Sequence, residues 1–400
     1  MANIPPDLPD RERVRARVLS LPARFRTASA DGLRGEWELT VGDDVYTISV
    51  VDRRCYAREG PSTAPLARLR ADPATWLAVD DGELWGIEAV LSRRLTFEGS
   101  LDMGARLQTL FTPHARGRGP FDLEQATVDA DGTALSCYVV GEGSPVLMLH
   151  GLGASKISLL PLIPPLVHAG HRVVVPDLPG HGASDKPRTD YTPRFYARVM
   201  RRLMDALGVG RAVVLGNSLG GRVAIELAVR SPGHVTGLVL LDPAVPGFRV
   251  RYLMGFTRVI PSEVGTIPFP LRERWMRLAI RRLMADPSRI PDDGLHAAAE
   301  EFIRIYREPV ARMAFLDSLR HILTESPRPF WGRVRRVRVP ALVISGQEDR
   351  VVPVRLAHRL ARELPKADLL VLPRVGHVPQ FEAPQETSAA ILRFLASLQH

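Results

Sequence analysis

Hydrophobic and polar positions follow two different rhythms along this chain. In the first, Glu36-Trp37-Glu38-Leu39-Thr40-Val41 alternates, Gly42-Asp43-Asp44 supplies a turn, and Val45-Tyr46-Thr47-Ile48-Ser49-Val50-Val51 alternates again. Period-two runs joined by a short turn predict a β-hairpin. Further short strands are predicted at 55–58 and 95–97, and a helix is expected from about Asp10. Asp72-Pro73 ahead of Ala74-Thr75-Trp76-Leu77 predicts a second helix, with Asp as cap and Pro at the first helical position. A closing helix is expected over 101–111, with Leu101, Ala105, Leu107, Gln108, Leu110 and Phe111 partly on one face.

The second rhythm begins after 112–120, whose Pro, Gly and Arg content reads as an exposed linker. Residues 125–140 predict a hairpin around Asp131-Gly132. Short apolar runs at 146–149, 172–175, 212–215, 237–241, 341–345 and 369–372 then alternate with helical segments, such as the one that spaces Phe195, Val199, Leu203 and Leu207 by four. Alternating strands and helices imply a parallel sheet covered on both faces, hence an α/β fold. The alternation breaks between about 244 and 331, where segments around Arg251-Tyr252-Leu253-Met254, Trp275-Met276 and Phe302-Ile303 read as amphipathic helices. The domain division expected is therefore 1–112, a linker at 113–122, and 123–400.

Composition narrows the class. Hydrophobic residues make up 45% and charged residues 24%, ordinary for a globular protein. The 53 basic and 44 acidic residues leave a net charge of +9, but the arginines are scattered rather than run together, so no nucleic-acid arm is read. Arg333-Val334-Arg335-Arg336-Val337-Arg338 leaves peripheral contact with anionic lipid open, against the plainer reading of a solvated face. Cys55 and Cys137 lack metal-ligand spacing, and two buried free thiols are expected over one disulfide. The first thirty residues have no apolar core of signal-peptide length, and no apolar run could span a bilayer, so the expected location is cytoplasmic.

The chemistry centres on Gly216-Asn217-Ser218-Leu219-Gly220-Gly221. A buried strand leads into it and a helix leaves it, as a nucleophile elbow requires. Glycines at 216 and 220 would relieve collisions in so sharp a turn. The plainer reading is a glycine-rich turn in an ordinary α/β protein.

Together with this elbow, Leu149-His150-Gly151-Leu152-Gly153, the loop from Pro176 to Asp185, and the late Asp349 and His377 resemble the α/β-hydrolase family. The resemblance implies Ser218 as nucleophile, His377 as base and Asp349 as the acid that orients it, in the order Ser, acid, His. It implies the backbone N–H groups of Leu152 and Leu219 as oxyanion donors. His150 is read as shaping the loop, and Asp177 and Ser184 as bonding to loop backbone. Rivals for the acid and base are Glu348, Asp242 and His358, with Asp242 the serious one because some hydrolases place the acid after that strand. The insertion at 244–331 would be a cap whose apolar side chains shape the acyl pocket. No cofactor is implied and no metal-ligand constellation appears.

A second resemblance covers about 15–112. The strand pair around Gly42-Asp43-Asp44, then Asp72-Pro73 and Trp76, Asp81-Gly82, Ala89, Leu95-Thr96-Phe97-Glu98-Gly99-Ser100-Leu101, and Leu107-Gln108 with Leu110-Phe111, are similar to sterol-carrier-protein domains. That implies a small α+β module holding a fatty acyl or sterol ligand, the alternative being a module that only docks. The function expected is a serine hydrolase that cleaves the carboxylic ester of a lipid-like or apolar small molecule through an acyl-enzyme. The alternatives are a C–C bond hydrolase of ring-cleavage products, since Gly-Asn-Ser-Leu-Gly-Gly also occurs in that branch, and a lipid-binding protein with a silent hydrolase scaffold. The oxyanion loop here is less glycine-rich than is usual in the C–C branch.

Overall fold

The computed structural model describes residues 8–30, 33–114, 123–247, 261–267, 271–290 and 292–398. The chain forms two compact units, Met1–Gln125 and Ala126–His400.

In the first unit, helix α1 (Asp10–Leu19) precedes a five-stranded sheet of order β3-β2-β1-β4-β5. The predicted hairpin is β1 (Gly35–Val41) and β2 (Asp44–Val51), antiparallel with Val41 opposite Asp44. Strands β3 (Arg54–Glu59) and β5 (Leu95–Gly99) fall where alternation placed them. Strand β4 (Ala67–Ala71), which the sequence reading passed over, lies parallel to β1. It buries Ala67, Leu69 and Ala71 and exposes Arg68 and Arg70, an alternation written in side chains too small and too basic to stand out. Asp72 caps α2 (Pro73–Asp81) by accepting from the Thr75 N–H at 2.9 Å, as expected. The short α3 (Gly86–Leu91) was likewise not foreseen. Helix α4 (Leu101–Thr109) ends two residues before the expected limit, because Phe111 turns out to bridge Phe25 in extended conformation. Trp37, fully buried, anchors the core, and its indole N–H donates to the Met103 carbonyl at 2.9 Å.

Arg24 and Asp80 form an ion pair at 2.6 Å, both 3% exposed. Arg24 also donates to the Thr112 carbonyl, and the His114 N–H donates to the Asp80 carbonyl. The start of the segment read as linker is thus stitched to the first unit, while 115–122 lies outside the described residues. So do 248–260, and with them the helix expected around Arg251.

The second unit is built on an eight-stranded sheet of order β13-β12-β11-β10-β8-β9-β7-β6. Its strands are β6 (Glu124–Asp129), β7 (Ala134–Val140), β8 (Ser144–Leu149), β9 (His171–Pro176), β10 (Ala212–Asn217), β11 (Val235–Leu241), β12 (Ala341–Gly346) and β13 (Ala367–Leu372). From β13 to β9 the neighbours are parallel, and β7 runs antiparallel to β9. Every residue of β10 and β12 is buried, as apolar strands covered on both faces must be. The cover comes from α5 (Ile163–His168), α6 (Pro193–Ala206), α7 (Leu219–Arg230) and, after the insertion, α12 (Val354–Glu363), α13 (Pro379–Glu382) and α14 (Pro384–Ser397).

The insertion itself holds α8 (Glu273–Leu283), α9 (Asp292–Tyr306), α10 (Pro309–Thr324) and α11 (Pro327–Val334), so its alternation breaks for the reason the pattern suggested. Both cysteines are free and buried, and burial pushes each thiol up to about 12. Among the described residues no helix is long and apolar enough to cross a membrane.

Candidate active site

The chain leaves β8 for β9 on one side and returns to β10 on the other, so the strand order reverses between β8 and β10. Open α/β sheets bind ligands beyond the carboxyl ends of the strands at such a reversal. Gly151 follows β8 and Ser218 follows β10. They come so close that a Cβ on Gly151 would lie 3.3 Å from the Ser218 Cβ.

Ser218 has φ 52° and ψ −112°, a conformation that a side-chain-bearing residue adopts only under constraint. Close approach supplies the constraint. A Cβ on Gly216 would sit 2.2 Å from the Gly220 carbonyl carbon, and one on Gly220 would sit 2.0 Å from the Leu149 carbonyl oxygen. The Ser218 N–H donates to Leu241 on β11 at 2.9 Å, and its carbonyl accepts from Arg222 and Ala244. Leu219 opens α7, where a first-turn N–H has no acceptor within the helix.

His377 and Asp349, in loops after β13 and β12, meet directly: His377 Nδ1 lies 2.7 Å from Asp349 Oδ2, both side chains buried. Asp349 Oδ1 accepts the N–H groups of Val351 and Val352 at 2.7 and 2.9 Å, which holds the carboxylate. Asn217 ties this pair to the elbow. Its side-chain amide donates to the Leu241 carbonyl at 3.1 Å and to the His377 carbonyl at 3.3 Å. The sequence reading gave Asn217 no task, and only the fold could, since its partners lie 24 and 160 positions away.

The rivals occupy other posts. Glu348 accepts from the Val375 N–H, and His358 lies exposed on α12. Asp242 is fully buried beside the pair, and its ligand-type atoms lie within 4.8 Å of those of Asp349 and His377. Burial, then the charge of Asp349, drives its carboxyl well above the ordinary range. Such a triplet could face a metal, but Asp349 and His377 already bond one another. A second grouping, Asp190, Asp317 and His321, also brings ligand-type atoms within 4.8 Å, and there Asp317 accepts the Tyr191 N–H.

In the loop after β8, His150 uses both ring nitrogens, Nδ1 towards the Gly151 carbonyl at 2.9 Å and Nε2 accepting from the Leu178 N–H at 2.9 Å. Burial pushes its imidazole below the ordinary range, so it stays neutral. Asp177 accepts from the Lys156 N–H, the Lys156 ammonium and the Ala183 N–H at 2.7 to 2.9 Å. The Lys156 partner, 1% exposed, was not foreseen. From the insertion, Phe302 and Phe315 close over Gly153, where a Cβ would meet their rings at 3.2 and 3.3 Å. Tyr306 packs against both, tilted to Phe302 and edge-on to Phe315, with ring centroids 4.5 and 5.3 Å away. The insertion thus puts an aromatic wall next to the loop that carries Leu152.

A strand–elbow–helix at the sheet's reversal, with a buried Asp–His pair beside it, is the architecture of a serine hydrolase of the α/β class. The model for the alpha/beta hydrolase fold matches residues 144–384, and the chain belongs to that family. The model for the SCP-2 sterol transfer family matches residues 23–112. Among curated relatives, a 2-hydroxy-6-oxononadienedioate/2-hydroxy-6-oxononatrienedioate hydrolase from Burkholderia vietnamiensis is 30% identical over 66% of this chain and 92% of its own. A 2-hydroxy-6-oxo-6-phenylhexa-2,4-dienoate hydrolase from Burkholderia cepacia is 31% identical over 64% and 89%. Among solved structures, a meta-cleavage product hydrolase from Pseudomonas fluorescens is 26% identical with a TM-score of 0.56, over 68% of this chain and 97% of that one. A thermophilic esterase from Thermogutta terrifontis is 25% identical with a TM-score of 0.58, over 70% and 99%.

Proposed function

We propose that the chain hydrolyses the C–C bond of a 2-hydroxy-6-oxo-dienoate ring-cleavage product, with Ser218 as nucleophile, His377 as base and Asp349 as orienting acid. The observation that carries this reading is the near end-to-end match of the second unit to hydrolases named for such substrates. It reverses the ranking expected from sequence, where the lipid ester came first. The less glycine-rich oxyanion loop does not outweigh a match spanning about nine-tenths of each relative.

Ser218 Oγ attacks the 6-oxo carbon as His377 takes its proton, and Asp349 stabilises the imidazolium. The N–H groups of Leu152 and Leu219 hold the oxyanion, each such donor contributing about 3–4 kcal/mol. Cleavage leaves the electron pair on carbon, delocalised into the 2-oxo acid after the dienol has become a ketone. That carbon then takes a proton, and water, deprotonated by His377, releases the acyl group from Ser218 as a carboxylic acid. The aromatic wall of Phe302, Tyr306 and Phe315 suits a flat conjugated substrate.

One observation favours a second reading, hydrolysis of a lipid-like ester: a sterol-transfer unit precedes the hydrolase. An acyl or sterol ligand held there would serve such a substrate. Turnover of 2-hydroxy-6-oxo-6-phenylhexa-2,4-dienoate, followed by loss of its absorbance, is compared with a p-nitrophenyl ester series of rising chain length. A higher kcat/KM for the dienoate, abolished by Ser218→Ala, is the expected result. A preference for long esters moves the second reading ahead, and equal inactivity of both proteins leaves the silent scaffold.

A further inference from the structure

Asp242 enters the second unit's machinery by an unusual route. It follows β11 with φ 41°, and its N–H donates to the Ile344 carbonyl on β12 at 2.9 Å. That geometry turns its side chain inward, to a place where it is wholly buried. Its Oδ1 accepts the Ser345 hydroxyl at 2.7 Å and the Gly346 N–H at 3.1 Å. One of its carboxyl oxygens lies within 4.8 Å of one of Asp349. Among the described residues, the titratable groups that face it are Asp349 and His377.

Two carboxyl groups can share a hydrogen bond only if one keeps its proton, since ionised carboxylates only accept. Like charges this close and this far from water do not both ionise. The donor count decides which one does. Asp349 accepts two backbone N–H groups on Oδ1 and meets the His377 ring nitrogen with Oδ2, so both of its oxygens are already engaged as acceptors. Asp242 receives its two donors mainly on one oxygen, which leaves the other to carry a proton.

We propose that Asp242 is a positioning residue that keeps its proton through the cycle and donates it to Asp349 as a hydrogen bond, fixing the carboxylate that orients His377. This rests on the triad reading above. Ring and acid are then set by an assembly drawn from the ends of β11, β12 and β13. The pair carries a single negative charge, so the imidazolium formed during attack is balanced rather than over-stabilised.

The test compares wild type, Asp242→Asn and Asp242→Ala by pH–rate profiles and by infrared difference spectroscopy. The asparagine amide donates to Asp349 and its oxygen still accepts from Ser345 and Gly346, with no change of charge. Asp242→Ala is expected to lower kcat about tenfold to a hundredfold through misplacement of the acid, with KM little altered. Asp242→Asn is expected to restore kcat to within about fivefold and to leave the acid limb of kcat/KM in place. Subtracting Asp242→Asn from wild type at neutral pH should show a protonated-carboxyl C=O band. The same band should appear with Ser218→Ala as the background, which needs no turnover. If Asp242→Asn moves the acid limb down by about a unit, or the band is missing, Asp242 is ionised and the proposal falls. If Asp242→Ala folds and turns over like wild type, it also falls. If Ser218→Ala keeps its activity, it is the triad reading that has failed, and the infrared band still decides the protonation of Asp242.

Discussion

The backbone N–H of His377 donates to the carbonyl oxygen of Leu283 at 2.6 Å, so the loop that carries the histidine is bonded to the last residue of α8 in the insertion. Glu382 reinforces the link. One carboxylate oxygen accepts the Gly376 N–H at 2.8 Å and the other accepts the Ala285 N–H at 2.7 Å. Arg289 reaches back to the Glu382 carbonyl at 2.8 Å. The seat of the insertion and the place of the histidine are thus set together.

Glu382→Ala would leave both donors unpaired, at about 1–3 kcal/mol for the buried Gly376 N–H and less for the part-buried Ala285 N–H. The expected outcome is a lower Tm together with a fall in kcat larger than the rise in KM. Glu382→Gln, which keeps one acceptor, should lie between. Steady-state kinetics with thermal melts checks this, and a variant that loses stability at full kcat would uncouple the two.

The elbow makes a sharper prediction about glycine. Gly220→Ala puts a Cβ 2.0 Å from the Leu149 carbonyl oxygen, a backbone atom that cannot swing aside. Overpacking of this kind costs about 1–3 kcal/mol and more where nothing yields. Soluble yield and denaturant midpoint should drop steeply. Gly233→Ala, where a Cβ meets nothing within 4 Å, should not change either.

How much of this was readable in the sequence depends on the reach of each signal. The elbow, the hairpin of β1 and β2, the Asp72 cap and the apolar strands of the second sheet are local patterns, and all were legible. The placement of Ser218, Asp349 and His377 just after β10, β12 and β13 was legible from the apolar runs that precede them, while the roles proposed for them came from the resemblance to the α/β-hydrolase family. Strand β4 was missed because Ala67 and Ala71 alternate with arginines and carry little apolar signal. Asn217, Lys156 and Glu382 were missed because what matters about each is a partner far along the chain: His377, Asp177, and the Ala285 N–H. Asp242 was seen, but as a competitor for the role of Asp349. No pattern in one sequence tells two rival carboxyls from two that share a proton.

Arg222 supplies a further case of long reach. It lies inside α7 at 2% side-chain exposure, forks onto Glu325 at 2.6 and 3.0 Å, and stacks on Phe330 at 4.4 Å. Arg222 also pairs with Glu226 at 3.3 Å, that side chain 3% exposed, and removing one partner of so buried a pair costs about 3–5 kcal/mol. Arg222→Met should therefore destabilise strongly, softened because Arg333 also reaches Glu325. Arg222→Met with Glu325→Gln should recover part of the loss. Denaturation of the two single variants and the double variant measures the coupling, and strict additivity would show that the fork contributes nothing.

His181 sets the acid side of stability. Burial, with His150 beside it, pushes its imidazole down to about 3 from an ordinary 6.5. Nδ1 faces the Pro179 carbonyl at 3.0 Å, while Nε2 is buried with no partner among the described residues, so a second proton would have nothing to donate to. The unfolded chain binds a proton near pH 6.5 and the folded chain does not until about 3. Between those values the unfolded state holds more protons, so stability rises with pH and is lost as pH falls through this window. The slope from this one group approaches about 1.4 kcal/mol per pH unit. Urea denaturation of wild type and His181→Gln at a series of pH values reads it directly. The variant should be flatter by up to that slope between the two values, whatever its absolute stability. Parallel curves would mean that His181 does not set the acid limit of the fold.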